Sequence, residues 1–137
     1  MAQSSQGDGN LDEFFSKNDL FDLTGMLKLT EQMTSCEIVV RITKDRVMME
    51  QTAREEYVRL GLGRPADRSG LLLYINLFHR KFIFLADNRI TEKLGEEWLR
   101  KYADMLSDRF RKYRFGFGIH DLISRMCHDL KTYFPPD

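Results

Sequence analysis

The sequence is poor in cysteine, histidine and proline: two cysteines, three histidines and three prolines stand among 137 residues. Cys36 and Cys127 lie far apart, and nothing matches a CxxC or HExxH spacing. A disulfide framework and a structural zinc site are therefore excluded as the basis of folding. Free cysteine commonly packs inside, and both are read as packing residues. Cys127 and His128 are adjacent, so on a helix they point about 100° apart and cannot pair as nucleophile and base. Net charge is also missing, since 21 lysines and arginines balance 21 aspartates and glutamates. That excludes a chain whose whole surface grips nucleic acid and leaves only a local basic patch. The longest apolar stretch, Gly70 to Phe78, contains Asn76 and falls far short of the roughly 20 residues a membrane span needs. Residues 1–10 have no basic start, apolar middle or cleavage site, so no secretory signal is read and a reduced, cytoplasmic setting is expected.

What is present suffices for one core. With 42% hydrophobic and 12% aromatic residues, a chain of this length buries about two thirds of its unfolded surface. The polar start reads as a flexible tail over residues 1–17, with the domain over 18–137. Leu20, Leu23 and Leu27 recur at helical spacing, predicting a helix capped by Asn18 or Asp19 and running to about Met33. Residues 37–42 are rich in β-branched side chains and read as a strand; a helix follows over about 45–60 and stops at Gly61. Leu71 to Leu77 is a near-continuous apolar run, expected of a buried strand, and 81–86 pairs with it through a hairpin. Helices over about 91–112 and from about 118 onward complete the chain, the last with a stripe of Ile119, Leu122, Ile123, Met126, Cys127 and Leu130. A parallel crossover plus a hairpin predicts an α/β fold: a small mixed sheet with helices packed on it.

Few constellations suggest chemistry. Gly61-Leu62-Gly63 leaves a helix and enters a strand, the reverse of the order a phosphate loop needs, and no organic cofactor is implied. If strands 37–42 and 71–77 run parallel and 81–86 antiparallel, Glu37, Asp67 and Asp87 gather at one end of the sheet. Carboxylates there suit a hard cation, calcium or magnesium. The plainer alternative has Asp67 and Asp87 capping turns and Glu37 in a surface ion pair. Asp45, His79 and Arg80 fall at the opposite end as an acid, a base and an anion clamp, or simply as solvated hairpin residues. Residues 109–115 interleave basic and aromatic side chains as nucleic-acid surfaces can. Asp104 and Asp108 dilute the charge, so a solvated helix end is expected there and no nucleic-acid partner.

Glu31-Gln32-Met33-Thr34-Ser35-Cys36-Glu37-Ile38-Val39-Val40 and Leu60-Gly61-Leu62-Gly63, followed by Ser69-Gly70-Leu71-Leu72-Leu73-Tyr74 and Arg80-Lys81-Phe82-Ile83-Phe84-Leu85-Ala86-Asp87-Asn88-Arg89-Ile90, resemble the TPM domain family. Gly95 to Trp98, Arg114 to Gly118 and Leu130 to Pro135 extend the resemblance over roughly residues 19–135. It implies a three-layer α/β/α sandwich, and it marks Glu37, Arg80 and Asp87 as matching the family pattern. Cys36 and Ser69-Gly70 depart from it, where a small residue and Asn-Gly are usual. Relatives have been linked to divalent cations, to acid phosphatase activity and to assembly or repair of membrane protein complexes. The first expectation is a non-enzymatic binding or accessory module. It holds calcium or magnesium at Glu37, Asp67 and Asp87, and it engages another protein or a membrane-protein complex. The alternative is a metal-assisted phosphatase acting on phosphomonoesters.

Overall fold

The computed structural model describes residues 2–4, 15–64, 68–112 and 115–137, with side chains described from residue 15 and, after the last break, from residue 119. In chain order these are β1 (Ala2–Ser4), α1 (Lys17–Met33), β2 (Glu37–Thr43), α2 (Met49–Arg59), β3 (Gly70–Asn76), β4 (Lys81–Ala86), α3 (Asn88–Leu94), α4 (Glu96–Arg111) and α5 (Phe115–Tyr133). The sheet runs β1-β2-β3-β4, with β1, β2 and β3 parallel and β4 antiparallel to β3. Strand direction follows from connection length. A helix-bearing crossover returns the chain parallel, whereas a four-residue turn can only reverse it.

Alternation along the strands divides the core in two. Ile38, Val40 and Ile42 of β2 stand in register with Leu71, Leu73 and Ile75 of β3 and face α1, α4 and α5. Val39, Leu72 and Tyr74 face the other way, onto Ala53 and Tyr57 of α2 and onto Leu62. This is the expected α/β/α sandwich. Every residue of β3 is buried because both of its faces are covered, which explains its unbroken apolar run. The α5 stripe from Ile119 to Leu130 is buried as its spacing predicts.

Several boundaries differ from the sequence reading. α1 is capped by Ser16, whose Oγ accepts from the Asp19 amide at 2.9 Å while Asp19 Oδ2 accepts from the Ser16 amide at 2.9 Å. That reciprocal box makes Asp19 the third helical residue and not the cap. Phe15, just before it, is 1% exposed, and Ala2–Ser4 pairs with β2, although composition alone suggests a tail over residues 1–17. Strand pairing uses main-chain groups, so a polar sequence does not preclude it, and one buried phenylalanine makes no periodicity. The stretch 44–48 is a loop, and α2 begins at Met49. The helix expected over 91–112 is two helices that part at Gly95, whose φ of 87° no other residue type adopts easily; the first of them starts early, on the Asp87 cap.

Candidate functional site

Register brings Glu37 opposite Gly70, and Leu71 opposite Ala86. Glu37, the loop entering β3 and Asp87 therefore meet at one end of the sheet, as the topology argument requires. Asp87 is buried there. Its Oδ1 accepts from the Ile90 amide at 3.1 Å, capping α3, and its Oδ2 accepts from the Gly70 amide at 3.0 Å and from Arg89 Nη2 at 3.1 Å. Arg89 Nη2 also donates to the carbonyls of Arg64 at 2.9 Å and Arg68 at 3.3 Å. One guanidinium thus ties both ends of the loop to the Asp87 carboxylate. Tyr57 adds a fourth fastening, its hydroxyl donating to the Gly70 carbonyl at 3.2 Å. Asp67 lies outside the described residues. The Glu37 side chain is exposed, and its amide donates to the Ser69 carbonyl at 2.8 Å.

Burial, more than any neighbour, sets the acidity of the two other groups here. The Cys36 thiol is pushed up from 9.0 to about 12 by desolvation first, then by the negative charges of Asp87 and Glu37. Desolvation followed by the Asp87 charge likewise raises the Tyr57 phenol to about 12. Both are neutral near pH 7, so neither is a ready nucleophile. Because folding raises both values, their contribution to stability is intact below about pH 9 and is lost as pH climbs toward 12. Alkaline melts should show the midpoint falling over that window, and native Cys36 should stay unlabelled by iodoacetamide at pH 8 until denaturant is added. Labelling as fast as that of a free thiol would refute the burial argument.

At the other end of the sheet stand Asp45, His79 and Arg80. The His79 ring meets the Val47 carbonyl through Nε2 at 2.9 Å, and the Asp45 main chain bonds Thr43 Oγ1 and Asn76 Nδ2. Arg80 holds a left-handed φ of 55° in the hairpin. Within the basic stretch, Arg109 pairs with Asp121 at 2.9 Å and Lys112 with Asp108 at 3.0 Å, while residues 113 and 114 lie outside the described set. A further knot escaped the sequence reading. Asp129 Oδ2 accepts from Trp98 Nε1 at 2.9 Å and from the Tyr102 hydroxyl at 2.7 Å, joining α4 to α5. Arg89 escaped too, because a surface-type residue at the start of a helix gives no sign of which carbonyls folding will bring to it.

Among the described residues no three His, Cys, Asp or Glu side chains gather at a metal-sized spacing. No described helix is long and apolar enough to cross a membrane.

The comparisons with known proteins agree on the fold. The BA42 protein of the psychrophilic bacterium Bizionia argentinensis is 20% identical, with a TM-score of 0.80 over 95% of this chain and 90% of its own. The N-terminal domain of a P. gingivalis protein is 17% identical, with a TM-score of 0.75 over 97% of this chain and 83% of that one. The N-terminal domain of the Corynebacterium glutamicum protein cg2496 is 9% identical at a TM-score of 0.68, covering 94% of this chain and 78% of its own. No curated protein matches the sequence significantly. The family model described as the TPM domain matches residues 10–128, which is most of the chain. The protein belongs to the TPM domain family.

Proposed function

We propose that the chain is a non-enzymatic binding module. The observation that carries this reading is the state of the acidic end: the Asp87 carboxylate is held by three N–H donors, and the Cys36 and Tyr57 protons are held by burial. A group attacking phosphorus has to present a free lone pair at neutral pH, and these groups are committed to the fold. Divalent cation binding is the finer part of the reading. Asp87 Oδ2 and the carbonyls of Arg64 and Arg68 already converge on one cation, the Arg89 guanidinium. Hard oxygen donors of that kind suit calcium or magnesium, which would enter by displacing Arg89, with Glu37 and Asp67 completing the ligand set. Engagement of a partner protein belongs to the same module reading.

Two measurements test it. Incubation with p-nitrophenyl phosphate in calcium, magnesium or manganese should give no turnover above buffer. Turnover that disappears in Glu37→Gln would sink the module reading and establish the alternative, a metal-assisted phosphatase. Thermal melts in chelator and then in each ion test the cation, since a ligand that binds only the native state raises its stability. A rise of several degrees that Glu37→Gln abolishes is expected; identical melts in every ion would remove the cation from the proposal.

A further inference from the structure

The end of the sheet opposite Asp87 carries an arrangement that neither the core nor the acidic end uses. Thr43, Asn76 and Lys81 stand in register there, so the loop after β2 and the β3–β4 hairpin emerge side by side. Asn76, fully buried, welds them together: its Nδ2 donates to the Asp45 carbonyl at 3.0 Å and its Oδ1 accepts from the His79 amide at 3.0 Å. The bond from the His79 ring to Val47 closes the second link. Two apolar side chains project from this rigid ledge, Met48 at 75% exposure and Phe78 at 47%. The Arg46 guanidinium lies 4.9 Å above the Phe78 ring.

Folding also concentrates charge around those tips. Lys44, Arg46, Arg80 and Lys81 flank them. The basic end of α4 joins from a distant part of the sequence, because Phe110 packs edge-on against Phe82 at 5.5 Å and a groove of about 290 Å³ is lined by Arg80, Lys81, Phe82, Ser107 and Phe110. Arg111 and Lys112 follow directly. Among the described residues the anions nearby include Asp45, Asp108, which Lys112 and Arg111 share, and Glu50, which bonds Arg54 at 3.0 Å. Over the described residues this end therefore carries more cations than anions around protruding apolar side chains, although the chain as a whole has zero net charge. Arg80 sits at a φ of 55°, where glycine or asparagine would be at ease, so a long cationic side chain is kept there at a conformational cost.

We propose that this end is a docking face for an anionic lipid surface, with Phe78 and Met48 entering the headgroup layer and the surrounding lysines and arginines meeting its phosphates. The apolar tips decide between anionic partners. Methionine and phenylalanine at the crests of loops gain from leaving water for the acyl boundary, and a phosphodiester chain offers Met48 no such environment. An acidic protein segment seated in the groove lined by Phe82 and Phe110 would leave the exposed Phe78 ring in water. The proposal is independent of the cation reading, since it uses the opposite end of the sheet.

The test is flotation of the whole chain with phosphatidylcholine vesicles, with and without phosphatidylserine. Binding is expected only to the phosphatidylserine vesicles and should fade as salt rises. Lys81→Ala should weaken it about fivefold, and Phe78→Ser about tenfold. Lys131→Ala, at the far end of the molecule, should leave it unchanged. Both ledge positions are exposed, so the variants should melt like the parent. Failure to bind phosphatidylserine vesicles at low salt, or indifference to both ledge substitutions, would overturn the proposal. Preference for polyglutamate or single-stranded DNA over vesicles, with Phe78→Ser without effect, would overturn it in favour of a protein or nucleic-acid partner.

Discussion

Asp87→Ala should lower stability by about 3 kcal/mol, read as a fall of roughly 10 °C in the melting midpoint. Three losses add. The α3 cap goes, at about 1 kcal/mol. The Gly70 amide, buried between β3 and the turn, is left without its acceptor, and an unsatisfied buried donor costs about 1–3 kcal/mol. The Arg89 guanidinium loses its carboxylate, although exposure of the arginine keeps that term small. Asp87→Asn retains one acceptor oxygen and should fall about halfway between. The sum is not strictly additive because the three bonds share one carboxylate. A denaturant titration of both variants checks the order. A midpoint for Asp87→Ala within about 0.5 kcal/mol of the parent would show that the loop needs no such fastening.

Gly63→Ala should be about as damaging, for a different reason. Gly63 has a φ of 73°, and a Cβ placed there would stand 2.6 Å from the Tyr57 hydroxyl and 2.8 Å from the Asp87 Cβ. The left-handed backbone alone costs roughly 1–2 kcal/mol for an L-residue. Contact at that range also drives Tyr57 off the Gly70 carbonyl, adding about 1 kcal/mol. Gly61 supplies an internal control, because its φ of 74° is similar while only the flexible Arg64 guanidinium comes near its missing Cβ, at 3.3 Å. Gly61→Ala should carry little beyond the backbone cost. Equal losses in the two variants would show that the close approach around Gly63 contributes nothing. Gly63 thus belongs to the same fastening as Tyr57, Asp87 and Arg89, and serves it by having no side chain.

Much of the architecture was legible beforehand because it depends on periodicity. The buried stripe of α5, the two-sided run of β3 and the alternation of β2 are repeats that water alone selects, and each was found where spacing placed it. That the chain at Glu37 and at Asp87 reaches the same end of the sheet was legible as well, because strand direction follows from connection length. Non-repeating signals were harder to read. Ser16 outcompetes Asn18 and Asp19 as a cap only through the reciprocal bond with Asp19, and Gly95 splits a helix that its neighbours would continue.

By itself the sequence determined the α/β class, the order of the elements from α1 to β4 and the apolar faces of β3 and α5, since these rest on local pattern and on burial of apolar surface. Tertiary structure alone decided which chemistry the polar residues are left to perform. Folding spent Asp87 on three donors, set Arg89 across carbonyls from both ends of a loop, and carried the basic end of α4 to the β3–β4 hairpin. A hydrogen bond or a charge cluster between residues far apart in the chain has no local signature, because it exists only once the backbone has brought its partners within about 3 Å.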